Sequence, residues 1–290
     1  MGKVLRRNKV RLLKPEEIGL TDKVQKFEDG LRTEPKSGSY EWWYFDSKYP
    51  DGSSLVIVFY TKHVTSFAKS FKPFVSLNYI NPNGKELRTE LWSDDYSFSK
   101  DGCDVRIGEC YVKGDLSHYD IYFKNEDAEC KLTLDASVPS WRPKSGHIYF
   151  GKKDYFAWLP SVPEGEINGT LRMKDESVKL CGTGYHDHNF GNKLMILLMN
   201  DWYWGRAKIG DYVVVSSYIY ANKKDDYQTV PIFMLAKSGK ILSRVPCIRK
   251  KKKSVRSAKS GRVSWDIVVP CLNSTKGRSP NSMSASASRK

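Results

Sequence analysis

This chain of 290 residues lacks most of the short signatures that announce a reaction. It has no Gly-x-x-x-x-Gly-Lys phosphate loop, no Gly-x-Ser-x-Gly nucleophile elbow and no Gly-x-Gly-x-x-Gly turn leading into a helix. Nucleotide-driven phosphoryl transfer, α/β-hydrolase chemistry and dinucleotide binding therefore drop out as first readings. None of the six cysteines (Cys103, Cys110, Cys130, Cys181, Cys247, Cys271) forms a Cys-x-x-Cys pair, which argues against a zinc ribbon. Cys103 and Cys110 could meet across a hairpin, but buried free thiols are the simpler expectation. No apolar run approaches membrane-spanning length, since "LMILLM" (Leu194–Met199) is far too short. The start, "MGKVLRRNKVRLLKPEEIGL", has no apolar signal core, and Arg6 breaks the myristoylation pattern. These absences lead us to expect a soluble, cytoplasmic protein.

Acidic residues are scarce at one end. From Ile241 to Lys290 there are 13 Lys/Arg against a single acid, Asp266. That segment carries +12 of the net +15, leaving +3 on the first 240 residues. The basic character belongs to a tail, and a nucleic-acid-binding face on the body is not indicated. Residues 249–290 are Ser/Lys-rich and apolar-poor, so a solvated, disordered tail is expected, suited at most to weak contact with an acidic membrane surface. "RVSWDIVVP" within it could form one last strand.

Aromatic residues, by contrast, are plentiful at 13%, and apolar residues make up 40%. Residues 1–36 read as an amino-terminal arm, in which "LKPEEIGL" could make one helical turn. From Tyr40 the pattern is β: "YEWWYFDSK" and "SSLVIVFYTK" flank Pro50-Asp51-Gly52, and "PFVSLNYI" and "KELRTELW" flank Asn81-Pro82-Asn83-Gly84. Further strand runs follow at spacings of about ten residues, as in an antiparallel barrel or sandwich. Residues 37–150 read as a first β-domain. The Pro- and Gly-rich Val138–Gly165 reads as a linker, and residues 151–248 as linker plus second β-domain. An aromatic-rich β structure of this kind can enclose a ligand cavity.

Three stretches hold side chains able to do chemistry. In "CGTGYHDHNFGN" (Cys181–Asn192), an extended backbone puts His186, His188 and Phe190 on one side and Tyr185, Asp187 and Asn189 on the other. Glycines at 182, 184 and 191 permit bends and close backbone approach. Two same-face histidines could begin a metal site, could be satisfied wall residues, or could do acid–base work with Asp187. We expect the acid–base role and no metal. In "YEWWYFD" (Tyr40–Asp46), Glu41, Trp43 and Phe45 share one face. In "DWYWGR" (Asp201–Arg206), Trp202 and Trp204 point together, with Arg206 close by. A few polar groups in an aromatic wall is what a large apolar ligand requires. A carboxyl there, Glu41 or Asp187, would have a raised pKa, and the rings could stabilise a developing carbocation.

"SGSYEWWYFD", "GTGYHDHNFGN" and "WYWGRA", with "PSWRP" and "YFAWLPSVPEGEINGTL" between them, together resemble the AttH/CrtC-like, lipocalin-like family over roughly residues 36–240. That family includes carotenoid 1,2-hydratases (hydroxyneurosporene synthases), and kievitone hydratase and the fungal decalin-forming Diels–Alderases look like distant relatives. The resemblance implies an all-β fold of two lipocalin-like antiparallel barrels, and chemistry without a cofactor on a hydrophobic isoprenoid- or polyene-like substrate. It points to His188, Asn189 and Phe190 and, on a following strand, to Tyr218 and Tyr220. Phe190 stands where relatives usually carry tryptophan, and no acid stands beside Tyr218. Few strands remain after Lys240, so the second barrel is expected to be incomplete.

The leading expectation is a hydratase or cyclase that protonates an apolar alkene. Asp187, with His186 and His188, would supply the proton, and Glu41 and Arg206 would tune it. Trp43, Tyr185, Asn189, Phe190, Trp202, Trp204, Tyr218 and Tyr220 would hold substrate. The alternatives are a pericyclase folding a polyene chain and a lipid- or terpenoid-binding protein without chemistry. The sequence sets no oligomeric state.

Overall fold

The computed structural model describes residues 10–174 and 176–246. The described residues form seventeen strands: β1 (Val10–Leu12), β2 (Tyr40–Lys48), β3 (Ser54–Tyr60), β4 (Phe74–Ile80), β5 (Glu86–Trp92), β6 (Tyr96–Phe98), β7 (Asp104–Ile107), β8 (Cys110–Gly114), β9 (His118–Lys124), β10 (Ala128–Ala136), β11 (His147–Phe150), β12 (Asp154–Met173), β13 (Ser177–Gly191), β14 (Met199–Ile209), β15 (Tyr212–Ala221), β16 (Thr229–Lys237) and β17 (Lys240–Pro246). The helical segments among the described residues are single 3₁₀ turns, one of them Pro15–Ile18 in the amino-terminal arm and another Met195–Leu197 in the "LMILLM" run.

Thirteen strands form one curled antiparallel sheet in the order β5-β4-β3-β2-β13-β12-β10-β9-β8-β7-β6, with β11 joined to β12 and β1 to β11. Strands β14-β15-β16-β17 form a second sheet. The fold is all-β, as the alternation of the sequence leads one to expect. The expected disordered tail and its "RVSWDIVVP" strand lie outside the described residues.

The stretch Val138–Gly165, read from its prolines and glycines as a linker, contains β11 and the first half of β12. The pairing of β12 with β13 slips between Leu159 and Val162 and again between Val162 and Gly165. Pro160 and Pro163 fall inside those two slips. A proline cannot donate to a ladder, so it is accommodated in a strand where the pairing is interrupted.

The long hairpin β12–β13 serves two cores. Trp43, Phe45, Ile57, Leu77, Ile107, Tyr119, Phe123 and Leu134 fill the curl of the large sheet, joined by Val162, Ile167 and Leu180 of the hairpin. Val215, Ile219, Ile232 and Met234 of the second sheet pack with Tyr40, Trp141, Ile148, Trp158 and Tyr185 in the other. Each such side chain contributes about 1.5–3 kcal/mol when fully buried. Two glycines of the motif serve close approach rather than bending. A Cβ on Gly182 would lie 2.2 Å from the Lys48 carbonyl oxygen, and one on Gly191 2.5 Å from the Tyr40 hydroxyl. Cysteines 103, 110 and 130 are buried free thiols.

Candidate functional site

Strand β13 lies between β12 and β2, so its alternating side chains look into different surroundings. Register places His188 opposite Trp43 and His186 opposite Phe45. Both histidines are fully buried on the side of the large-sheet core. His186 stacks on Phe45 with centroids 4.0 Å apart, and His188 on Trp43 at 4.7 Å.

Each imidazole bridges a carbonyl and a carboxylate. His186 Nδ1 is 3.0 Å from the Tyr44 carbonyl oxygen and Nε2 is 3.2 Å from Asp29 Oδ2. His188 Nδ1 is 3.1 Å from the Glu28 carbonyl oxygen and Nε2 is 2.7 Å from Glu41 Oε1. A carbonyl oxygen only accepts, so each Nδ1 carries a proton. Each Nε2 faces a carboxylate oxygen directly. The carboxylates are well satisfied. Glu41 accepts from the Arg32 and Thr33 amides and the Thr33 hydroxyl, at 2.7–2.8 Å. Asp29 accepts from the Tyr119 and Ser161 hydroxyls at 2.5 and 3.0 Å. Burial pushes the Asp29 carboxyl up, but facing His186, His188 and Tyr119 it ends below its ordinary value. Trp43, a predicted wall residue, is fully buried here, with Nε1 donating to the Asp29 carbonyl at 2.8 Å.

The other side of β13 holds Asp187. Its Oδ2 accepts from Trp158 Nε1 and from the Tyr185 hydroxyl, each at 2.8 Å, and its Oδ1 accepts from Asn189 Nδ2 at 2.5 Å. None of these bonds goes to a histidine. Burial pushes the Asp187 carboxyl up to about 6, against the opposing pull of the Trp158 and Tyr185 hydrogen bonds. Burial, then the neighbouring Asp187, pushes the Tyr185 hydroxyl well up, which keeps it a neutral donor.

Strand β14 closes this side. Half-buried Trp204 packs against Tyr185 at 5.0 Å and meets Tyr44 edge-on at 6.0 Å. The Tyr44 hydroxyl is buried without a hydrogen-bond partner among the described residues. Arg206 donates to Asp46 from Nε and Nη2 and to Glu164 Oε2 from Nη1 at 3.0 Å, and its guanidinium lies over the Tyr185 ring. Trp202 packs on the same core. Tyr218 and Tyr220 face away. Inward positions of β15 are Val213, Val215 and Ile219, and the two tyrosines sit with exposed Tyr203 on the opposite face. The structure thus gathers Asp187, Tyr185, Asn189, Trp204 and Arg206, and separately His186, His188, Glu41 and Trp43. It does not bring Tyr218 or Tyr220 to either group.

A cleft of about 270 Å³ lies next to both groups. Its walls include Phe27, Arg32, His147, Tyr155, Trp158 and Phe190. Trp158 reaches from the cleft to Asp187, and Phe190 backs onto His188 at 5.0 Å. Glu28 and Arg142, also lining it, form a buried ion pair. Sequence reasoning passed over Asp29, Glu28, Trp158 and Arg142 as working parts. Arg142 and Glu28 are 114 positions apart, and no short-range pattern joins them.

Among the described residues, Asp29, Cys103 and His186 have donor types for a metal, with ligand atoms within 4.8 Å of one another. Asp29 is already bonded to His186, Tyr119 and Ser161. Burial, then Asp29, pushes the Cys103 thiol well up, away from the thiolate a metal needs. No helix among the described residues is long and apolar enough to cross a membrane.

Comparison with known proteins gives a consistent setting. The model of a family described as Diels-Alderase-like matches residues 33–254. A hydroxyneurosporene dehydrogenase of Chlorobaculum tepidum is 27% identical over 223 residues, covering 59% of this chain and 54% of that protein. The chain thus spans about half the length of this curated relative. Among solved structures, a putative AttH from Nitrosomonas europaea superposes with a TM-score of 0.59 at 16% identity, covering 80% of this chain and 74% of that one. CghA with Sch210972 gives 0.57 at 17%, covering 81% and 70%. Kievitone hydratase from Nectria haematococca gives 0.54 at 12%, covering 83% and 72%. At these identities the structural likeness is one of fold.

Proposed function

This chain belongs to the Diels-Alderase-like family, and from that premise we propose that it hydrates or cyclises a hydrophobic, isoprenoid- or polyene-like alkene, with Asp187 as the acid. The reading calls on the chain's own side chains alone. The observation that carries it is the setting of Asp187. Burial keeps its proton up to about pH 6, while Trp158, Tyr185 and Asn189 are already aimed at the carboxylate that proton release leaves behind. Donors fixed before the reaction stabilise developing charge without reorganising.

The cleft receives the apolar substrate against Trp158 and Phe190. Asp187 gives its proton to one alkene carbon: a C–H bond forms, the π bond breaks and the neighbouring carbon becomes a cation facing aromatic rings. Water, or a second double bond of the same chain, attacks that carbon, and the proton then lost returns to Asp187. For direct contact, Trp158 must release its bond to Oδ2, at a cost of about 0.5–1.5 kcal/mol while Asp187 is protonated and neutral. His186, His188 and Glu41 are positioning residues in this reading. They hold β13 from behind.

The names of the relatives support this class of substrate: one is a dehydrogenase of hydroxyneurosporene, one a hydratase, and one was solved with Sch210972 bound. Incubation with polyprenyl alkenes in heavy-oxygen water, followed by mass spectrometry, tests it. A product carrying heavy oxygen, or a cyclic isomer, is expected. Bound but unchanged ligand contradicts an enzyme.

A pericyclase is the second reading, favoured by one observation: Trp158 lines the cleft and Asp187 does not. Asp187→Asn separates the two. Acid catalysis predicts a loss of roughly 10²-fold or more, and pericyclic folding only a small change.

A further inference from the structure

We propose that His147 is a substrate-binding residue of the cleft, and that it selects a molecule bearing an acidic hydroxyl, a phenol or an enol, at one end of an apolar frame. This rests on the reading of the cleft as the substrate site and adds the chemistry of the substrate's polar end.

His147 opens β11, and its ring lines the cleft. Its Nδ1 is 3.0 Å from the Ser145 carbonyl oxygen. That oxygen only accepts, so Nδ1 carries the proton and Nε2 presents a lone pair. Among the described residues Nε2 has no hydrogen-bond partner. The ring is held between Phe190, at 5.3 Å and 76°, and Tyr155, at 5.3 Å and 41°. The lone pair therefore has a set direction.

Burial holds the imidazole below its ordinary value, outweighing the Ser145 carbonyl and Glu28, while Arg142 acts in the same direction as burial. The ring is neutral at pH 7 and remains an acceptor.

The other charged groups of the cleft are engaged. Arg142 donates to Glu28 and to the Lys144 and Thr21 carbonyls. Glu28 also accepts from the Gln25 amide. Arg32 donates to the Gly30 and Lys100 carbonyls. A carboxylate placed at Nε2 would face a lone pair and the charge of Glu28, which acts on His147 more strongly than that of Arg142. A neutral hydroxyl fits. It donates to Nε2 and brings no formal charge beside the buried Glu28–Arg142 pair. The rest of the molecule lies on Leu20, Phe27, Trp158 and Phe190.

The test uses 2-naphthol and its methyl ether, 2-methoxynaphthalene, which differ in the hydroxyl donor. Calorimetry at pH 7 should show the naphthol binding about 5–10-fold more tightly, the value of one hydrogen bond. His147→Phe should erase the difference, and Leu20→Trp, which fills the cleft from its rim, should weaken both probes. On the wild-type protein, the ¹⁵N resonance of His147 Nε2 should move with 2-naphthol and not with the ether, a readout that needs no variant. Equal affinities on the wild type, or a difference that survives His147→Phe, would overturn the role of His147. If both probes bind equally and Leu20→Trp weakens both, the cleft stands and only this inference falls. Failure of both probes to bind, or binding indifferent to Leu20→Trp, removes the cleft reading and His147 together.

Discussion

Trp158 and Asp187 are joined by one hydrogen bond, Nε1 to Oδ2 at 2.8 Å, that ties the wall of the cleft to the buried carboxyl behind it. Because Trp158 donates to the ionised form, it holds the Asp187 pKa down against burial. Trp158→Phe keeps an aromatic wall and removes that donor. The Asp187 pKa should then rise by about one unit, read as an upward shift of the descending, high-pH limb of a pH–rate profile or of the midpoint of a spectroscopic titration. A variant that titrates as the wild type does would show that the bond carries no energetic weight.

Asp187 also sets a pH dependence of stability. Its folded pKa, about 6, lies above the ordinary aspartate value of 3.8. Between those values the folded state holds the extra proton, so stability falls as pH rises. The contribution is fully present below about pH 3.8 and is lost as pH climbs through about 6, for a total of about 3 kcal/mol. Urea unfolding at a series of pH values should show wild type losing this increment relative to Asp187→Asn across that window. A constant difference would mean that the carboxyl titrates normally.

The His188–Glu41 pair gives a separate stability prediction. Both side chains are fully buried, and Glu41 also takes the Arg32 and Thr33 amides. Glu41→Ala strands four partners (His188 Nε2, the Arg32 and Thr33 amides and the Thr33 hydroxyl) around a cavity and should cost about 3–5 kcal/mol, the penalty for breaking a buried ionic partnership from one side. Denaturant midpoints check it. A loss below about 1 kcal/mol would put the pair on the scale of a surface ion pair.

How far the sequence shows this arrangement depends on range. Alternation alone puts Glu41, Trp43 and Phe45 on one face of "YEWWYFD" and His186, His188 and Phe190 on one face of "YHDHNF". The structure pairs these sets directly across β2 and β13, as Phe190 opposite Glu41, His188 opposite Trp43 and His186 opposite Phe45. Same-face neighbours are a local property of strands, which is why they can be read. Asp29 could not be read, because it lies 157 positions from His186, in a segment whose pattern suggests only an arm. Pro160 and Pro163 misled for a physical reason: proline marks a loop or an irregularity in a strand with equal force, and here it marks the slips of β12. Tyr218 and Tyr220 show the limit of carrying over positions by resemblance, since only the pairing of β14, β15 and β16 fixes which face of β15 turns inward.

The central claim is that a carboxyl shut against Trp158 and Tyr185 keeps its proton to near neutrality. A ¹³C NMR titration of the Asp187 carboxyl tests it without knowledge of the substrate. The account predicts a midpoint near 6, whereas a midpoint at or below about 4, the range of an ordinary aspartate, would contradict it.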